Sequence, residues 1–428
     1  QGEKAVSQII RTKLLIGQSA DGVGRGAGHA RNQAALMRSL NETEFLDSSS
    51  TLYFLCLLDS DDIMHPTRLA EQVYAMTCLQ PDEMNCTIMG CNFDRSPPDS
   101  TWHYANWANN LSDERLMLER FREVTVLQPT WMLTKSRFDS LDGYIAAPHS
   151  KEMDPDSSVK VDAYSSRKGL QLIHPTYDTN KSLRLAEDLR FFYAHLHDNG
   201  KLRLHRTSAP LVTYRHRLGQ SQSSMTPRKL LLHLRAMAFE IMVLKSNPLW
   251  LRNEGMFVVW GAGRDGKDFV KALSPDARSR IACFVDIDPK KIEHGHYFNK
   301  DLGLKIPIVH FSLLVSDLKV KSQLFESWEK EISHQNKDKA LLGRITKGKD
   351  PPRLPGEKIA SANNDKSDRP KKKRKVLVSE KHYGDLKVSL LPSLPVVVCV
   401  AMYRTNGVLE QNVRSIGRIE GKDLWHFS

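Results

Sequence analysis

Long hydrophobic runs are missing from this chain. No stretch of about 18 apolar residues occurs in its 428, and no charged-then-apolar segment opens it, which predicts a soluble protein of the cytoplasm or nucleus with no membrane partner. Cysteine is sparse as well. Cys56, Cys78, Cys86, Cys91, Cys283 and Cys399 are scattered, several inside apolar runs, without the C-x-x-C pairs of a zinc site, so they read as reduced core residues. Acidic residues are the minority charge. Lys and Arg number 62 against 50 Asp and Glu, a net +12, which suits a polyanionic partner such as RNA. Part of that excess is local, because Lys371 to Lys375 alone supply five positive charges. The length predicts two to three domains, and 40% hydrophobic with 26% charged residues is ordinary for a globular chain.

What is present centres on Thr51 to Pro66, T-L-Y-F-L-C-L-L-D-S-D-D-I-M-H-P. An uninterrupted apolar run ending in three aspartates predicts a central strand, buried on both faces, whose carboxyl end carries Asp59, Asp61 and Asp62. Asp59 and Asp61 can aim oxygens at one hard cation, Mn²⁺ or Mg²⁺, which completes its shell with substrate phosphates, so a diphosphate is the implied ligand. A plainer reading has Asp62 or His65 capping a helix opened by Pro66, with Leu69, Val73, Met76 and Leu79 as its buried stripe.

Upstream, Gly22, Gly24, Gly26 and Gly28 precede the helix Asn32 to Leu40, with Arg25, Arg31 and Asn32 placed to meet phosphate oxygens. A flexible loop before an amphipathic helix is the alternative. Downstream come a strand at 85–93, then Trp102, Tyr104 and Trp107, which can stack on a sugar or base or simply pack under a loop. Residues 146–180 read as a polar surface insert. A helix from Glu187 to His197 follows, with Glu187 and Asp188 in its first turn and Leu189, Phe192, Tyr193 and Leu196 facing inward; acids there are also favoured by the helix dipole alone.

D-S-D-D after a hydrophobic strand, preceded by G-R-G-A-G-H-A-R-N-Q-A and followed by A-E-D-L-R-F-F, resembles the family-2 nucleotide-sugar glycosyltransferases of GT-A fold. Q-P-T-W-M, E-D-L-R-F-F-Y-A-H-L and the terminal G-K-D-L-W-H-F-S resemble, within that family, transferases that place a sugar on the queuosine base of tRNA. The resemblance spans most of 13–317 and 390–428. It implies an α/β, Rossmann-like GT-A domain over 1–226, a linking helix over 227–250, and a smaller Rossmann-like domain over 251–428 interrupted at about 319–390. A UDP-sugar donor and a tRNA acceptor are implied partners, with galactose as the sugar. N-acetylglucosamine transfer and a catalytically defective RNA-binding relative stand as alternatives. In the family pattern Asp188 is the base of an inverting transfer, Glu187 orients the acceptor, and Trp131 lines the donor or acceptor. Relatives commonly show Y-R-x-H, whereas this chain has Tyr214-Arg215-His216-Arg217, so either His216 completes the metal site or Arg217 holds the phosphates. The resemblance also aligns Thr12 to Gly17 with the family's third strand. On that alignment the two base-binding strands are missing, and UDP binding is expected to be weak and unselective.

The largely apolar helix predicted from Thr226 to Ser246 bridges the two domains. Beyond it, Gly261-Ala-Gly-Arg-Asp-Gly266 follows a predicted strand, with Asp286 about 20 residues on. Taken alone this pattern suggests NAD, yet nothing nearby supplies hydride chemistry, so a structural or RNA-positioning module is the other reading. Residues 319–390 are too polar to order themselves; their basic run matches a nuclear localisation signal or an RNA-grazing tail. Predicted strands at 395–402 and 424–427 and a helix at 406–415 return the chain to the same domain.

Overall fold

The computed structural model describes residues 26–36, 52–145, 170–173, 185–216, 226–330, 333, 386–401 and 407–427. It is an α/β protein with mixed parallel and antiparallel sheets, compatible with a Rossmann-like fold. No helix among these residues is long and apolar enough to cross a membrane.

The strands are β1 Phe54–Cys56, β2 Ile63–Met64, β3 Thr87–Cys91, β4 Phe93–Ser96, β5 Met132–Thr134, β6 Lys201–His205, β7 Val212–Arg215, β8 Phe257–Trp260, β9 Ile281–Asp286, β10 His296–Asn299, β11 Leu304–His310, β12 Val396–Val398 and β13 Leu424–His426. The main helices are α1 Ala27–Leu36, α2 Arg68–Thr77, α3 Trp102–Asn110, α4 Glu187–His197, α5 Arg228–Phe239, α6 Arg264–Ala272 and α7 Val408–Ser415. Three sheets result, ordered β1-β5-β3-β6, β2-β7-β4 and β10-β11-β9-β8-β12-β13.

In the six-stranded sheet, β11, β9, β8, β12 and β13 are all parallel, and β10 adds an antiparallel edge. Chain order reverses between β8 and β12, which places a crevice at their carboxyl ends. β8, β12 and β13 are buried at every position, because helices cover both faces of a parallel sheet. α5 fills the space between the first sheet and this one. Leu230, Leu234 and Phe239 are all but inaccessible, and Phe239 meets Phe121, Trp250, Phe269 and Phe427 edge to face. Burying each such ring stabilises the fold by about 1.5–3 kcal/mol, so one apolar core joins both sheets.

Several expectations are corrected. The run at Thr51 to Leu58 yields only the three-residue β1, half-buried and paired on one side with β5, so among the described residues it is an edge strand, not a central one. Leu52 and Tyr53 are exposed, as expected where only one neighbour covers the strand. The stripe of α2 is turned as well. Arg68, Gln72 and Met76 face inward while Leu69 and Val73 are over a third exposed. Arg68 donates to Leu57 O at 2.9 Å and to Gln72 Oε1 at 2.8 Å, and Gln72 donates to Met89 O at 3.0 Å and Thr130 O at 2.8 Å. The main-chain carbonyls of Leu57, Met89 and Thr130 need donors, and that need outweighs the apolar pattern of α2.

The strand expected at 85–93 is β3, and β4, which begins at Phe93, runs in a different sheet. Within the supposed polar insert, Leu170 and Leu172 are buried in the core. The helix over 318–330 packs Val320 and Leu324 onto the six-stranded sheet, and Trp328 Nε1 donates to Ile287 O at 2.7 Å, so order extends past residue 319. Thr12 to Gly17 and the basic run lie outside the described residues.

Candidate functional site

The first module encloses an open cleft of about 710 Å³. Its walls are the start of α1, the turn after β1, the 3-10 turn Gln128–Thr130, the start of α4 and the end of β7. The turn after β1 is closed by Asp62 N donating to Asp59 O at 3.1 Å, which fans the three aspartates in different directions.

Arg31, from α1, ties the walls together. It ion-pairs with Asp59, donates to Glu187 Oε1 at 2.9 Å, and reaches Gln128 Oε1 at 3.3 Å. Burial alone would ease its proton off, but Tyr144, Asp59 and Glu187 hold it more firmly than in a free arginine. This pairing is possible because α1 lies close to α4 at Gly28. A Cβ there would sit 3.2 Å from Glu187 Cβ and from Tyr144 Cβ, so Gly28 serves helix contact and not phosphate approach. Asn32 is also structural. Its amide accepts from Tyr144 N and donates to Tyr144 O, both at 2.8 Å, clamping the loop instead of facing the cleft.

The aspartates divide their roles. Asp59 carries the Arg31 pair, and Asp61 lines the cleft while its carbonyl accepts from Arg215. Asp62 does not cap α2, whose first residue follows Thr67; it accepts from Arg215 N at 2.9 Å and so anchors β7 to the aspartate turn. Its other oxygen is buried with no partner among the described residues. Burial first, then Asp59 and Asp61, raise its pKa to about 6, against the lowering effect of the Arg215 N–H. His216 follows β7 into the cleft, its N–H bonded to Ser96 O at 2.8 Å. Arg25 and Arg217 lie outside the described residues.

On the opposite wall, Glu187 and Asp188 open α4. Asp188 Oδ1 accepts the adjacent Leu189 N–H at 2.8 Å, and the carboxyl is half-buried against the cleft. Desolvation, then the neighbouring charge of Glu187, raise its pKa to about 6, although the Leu189 N–H and Arg31 pull the other way.

Trp131 is not a cleft residue. It is inaccessible, donates from Nε1 to Val126 O at 2.8 Å, and packs on Phe191 and Phe192. The hydrophobic body of the ring and a carbonyl within its reach draw it into the core, and Gln128 and Pro129 of the same segment face the cleft instead. Trp131→Phe should therefore cost about 1–3 kcal/mol in urea unfolding, from the orphaned carbonyl, and leave ligand affinity unchanged. Altered ligand affinity at unchanged stability would return Trp131 to the site.

Sequence reasoning missed Arg95 and Glu123, which line the cleft, and the buried Tyr144 behind it. Arg95 is held by rings, its guanidinium 4.3 Å from the centre of Tyr214 and 5.6 Å from that of Tyr104, with burial lowering its pKa. Glu123 stands on the rim near Asp188, and Tyr144 backs Arg31. Nothing in F-D-R-S or R-E-V marks Arg95 or Glu123. Asp59, Asp61, Glu123, Glu187 and Asp188 thus outnumber Arg31, Arg95 and Arg215 in one cleft. An excess of oxygen donors fits a hard divalent cation, but among the described residues no group of three or more His, Cys, Asp or Glu could hold one. Asp61, which lines the cleft, is the carboxylate best placed to contribute to such a site.

The glycine loop of the six-stranded sheet is differently employed. Asp286 takes four donors from its own chain, Ala262 N at 2.8 Å, Lys291 Nζ at 2.9 Å, Ile287 N at 2.9 Å and Asp288 N at 3.0 Å. Both oxygens are committed to holding the loop, where a dinucleotide fingerprint would leave them for a ribose. Gly266 packs where any Cβ would collide with Gly261 O, which explains its type by close helix–strand contact alone.

No protein-family model matches this chain, and no solved structure matches it.

Proposed function

We propose that this chain is a nucleotide-sugar glycosyltransferase of GT-A type that inverts the anomeric centre, with a UDP-sugar as donor. The observation that carries this reading is one cleft with carboxylates on two facing walls: Asp59 and Asp61 at a strand end, and Asp188, with its pKa raised to about 6, across from them. An inverting transfer needs one carboxylate to take the acceptor's proton and a separate group to meet the diphosphate. Asp188 takes the proton of the acceptor hydroxyl as that oxygen attacks the sugar, and Glu187, fixed by Arg31, orients the acceptor. Arg95 and Arg215 offset charge on the departing diphosphate. Mn²⁺ or Mg²⁺ at Asp61, with Asp59 or His216 beside it, would add Lewis-acid stabilisation of that leaving group.

The acceptor is proposed to be a nucleoside hydroxyl of tRNA, the queuosine base in particular, with galactose as the sugar. The chain's basic excess supports a nucleic-acid acceptor, and the segment resemblances support the base and the sugar. The test is calorimetric titration of UDP with and without Mn²⁺. Asp61→Ala should abolish the manganese-dependent part of the affinity, because one carboxylate fewer leaves the diphosphate poorly neutralised. Retained manganese-dependent binding in that variant would overturn the assignment.

A further inference from the structure

A second groove, of about 490 Å³, opens beside the cleft, and Tyr104, Glu123 and Leu231 line both. One side is α3 of the first module, with His103 and Trp107; the other is the carboxyl edge of the six-stranded sheet, with Asp265, Ala401 and Phe427. It lies at the crevice where β8 and β12 part, the usual ligand position of such a sheet. The glycine loop beside it is closed by Asp286, so this edge contributes walls and not a nucleotide cradle.

The groove is lined by stacked planar groups. The Arg122 guanidinium stands 5.3 Å from the centre of Trp107, and that of Arg235 stands 5.7 Å from Phe427. At its rim the rings of Trp102 and His103 stack at 3.6 Å, with Trp102 half exposed to solvent. The exposed Trp102 and His103 rings are the kind of surface on which an unpaired base stacks. Charge is arranged to match. Within the groove Arg122 is paired with Glu119, and Arg235 lies 3.9 Å from Glu123, leaving the stacking surface near neutral. At the rim, Arg228 from α5 and Arg264 from α6 both approach Asp265 at 3.9 Å, and their side chains are 77% and 72% exposed. Asp268, which also lines the groove, is paired with Lys271 at 3.2 Å, so at the rim two exposed arginines face the one carboxylate of Asp265 and leave the rim net positive. Backbone phosphates fit these arginines and bases the stacking surface.

Resting on the transferase reading, we propose that this groove holds the single-stranded segment of an RNA acceptor, with phosphates at Arg228 and Arg264, a base against Trp102 and His103, and the reacting nucleoside passed into the cleft past Tyr104 and Glu123. The six-stranded sheet is then the far wall of the acceptor site.

The experiment measures binding of the full chain to an RNA stem–loop by fluorescence anisotropy across a salt series, with UDP affinity measured on the same samples. Arg228→Glu combined with Arg264→Glu should weaken RNA binding tenfold or more. It should also shrink the slope of log affinity against log salt by about 1.4, about 0.7 for each single-stranded phosphate contact removed. Trp102→Ala should weaken binding about fivefold at unchanged slope, since stacking is not a phosphate contact. UDP affinity should not move in either. Wild-type RNA affinity and slope in the double arginine variant would overturn the proposal, as would an equal loss from Lys245→Glu with Lys300→Glu, exposed lysines outside the groove. Groove-dependent RNA binding by a chain that binds no UDP would support the groove and overturn the transferase reading instead.

Discussion

Asparagine at position 188 should lower sugar transfer by about 10²–10⁴-fold while UDP affinity stays as it is, because the substitution removes a proton acceptor and little else. The carboxyl lines the cleft, and its pKa is raised to about 6 by desolvation and by Glu187. A base acts only when ionised, so in the parent chain log kcat/KM should climb with unit slope up to about pH 6 and level off above it. The stability effect has the opposite sign. A carboxyl whose pKa rises from 3.8 to about 6 on folding favours the folded state at low pH, and that contribution is lost as pH rises through about 6. At pH 7 the asparagine variant, free of that half-buried charge, should melt above the parent chain. Weakened donor binding at unchanged turnover would show that Asp188 is structural.

Alanine in place of Arg31 should destabilise the fold by about 3–5 kcal/mol, since it strands Glu187, 10% exposed, beside Asp188 with no cation between them. Asp59 loses its partner in the same step. Lysine should recover only part of the loss, because a point charge cannot span Asp59, Glu187 and Gln128 as the planar guanidinium does. Urea unfolding of both variants measures this, and a loss below about 1 kcal/mol in the alanine variant would mean that the three walls are held by something other than Arg31.

Several elements were legible without coordinates. α4 runs from Glu187 to His197, as its inward spacing of Leu189, Phe192, Tyr193 and Leu196 and the following D-N-G require. The strands and helices of the six-stranded sheet fall where apolar runs meet glycine. The aspartates at the end of β1 and the acids opening α4 were visible as two clusters 120 residues apart or more, with nothing to say that they share one cleft. Arg95 and Glu123 carried no mark at all, because a residue's exposure to a cleft depends on what packs behind it.

By itself the amino-acid sequence determined the α/β class, most of the element order in the second module, and which segments carry the carboxylates. Those properties depend on local periodicity, where neighbours a few residues apart decide the outcome. Tertiary structure decided the rest: that Arg31 pairs Asp59 with Glu187 across the cleft, that Trp131 and Asn32 belong to the frame, and that Arg68 and Gln72 turn inward to serve main-chain carbonyls. Each of these is a choice among partners far apart in the chain, made by which buried polar group would otherwise go unpaired, and no local pattern of residue types contains that information.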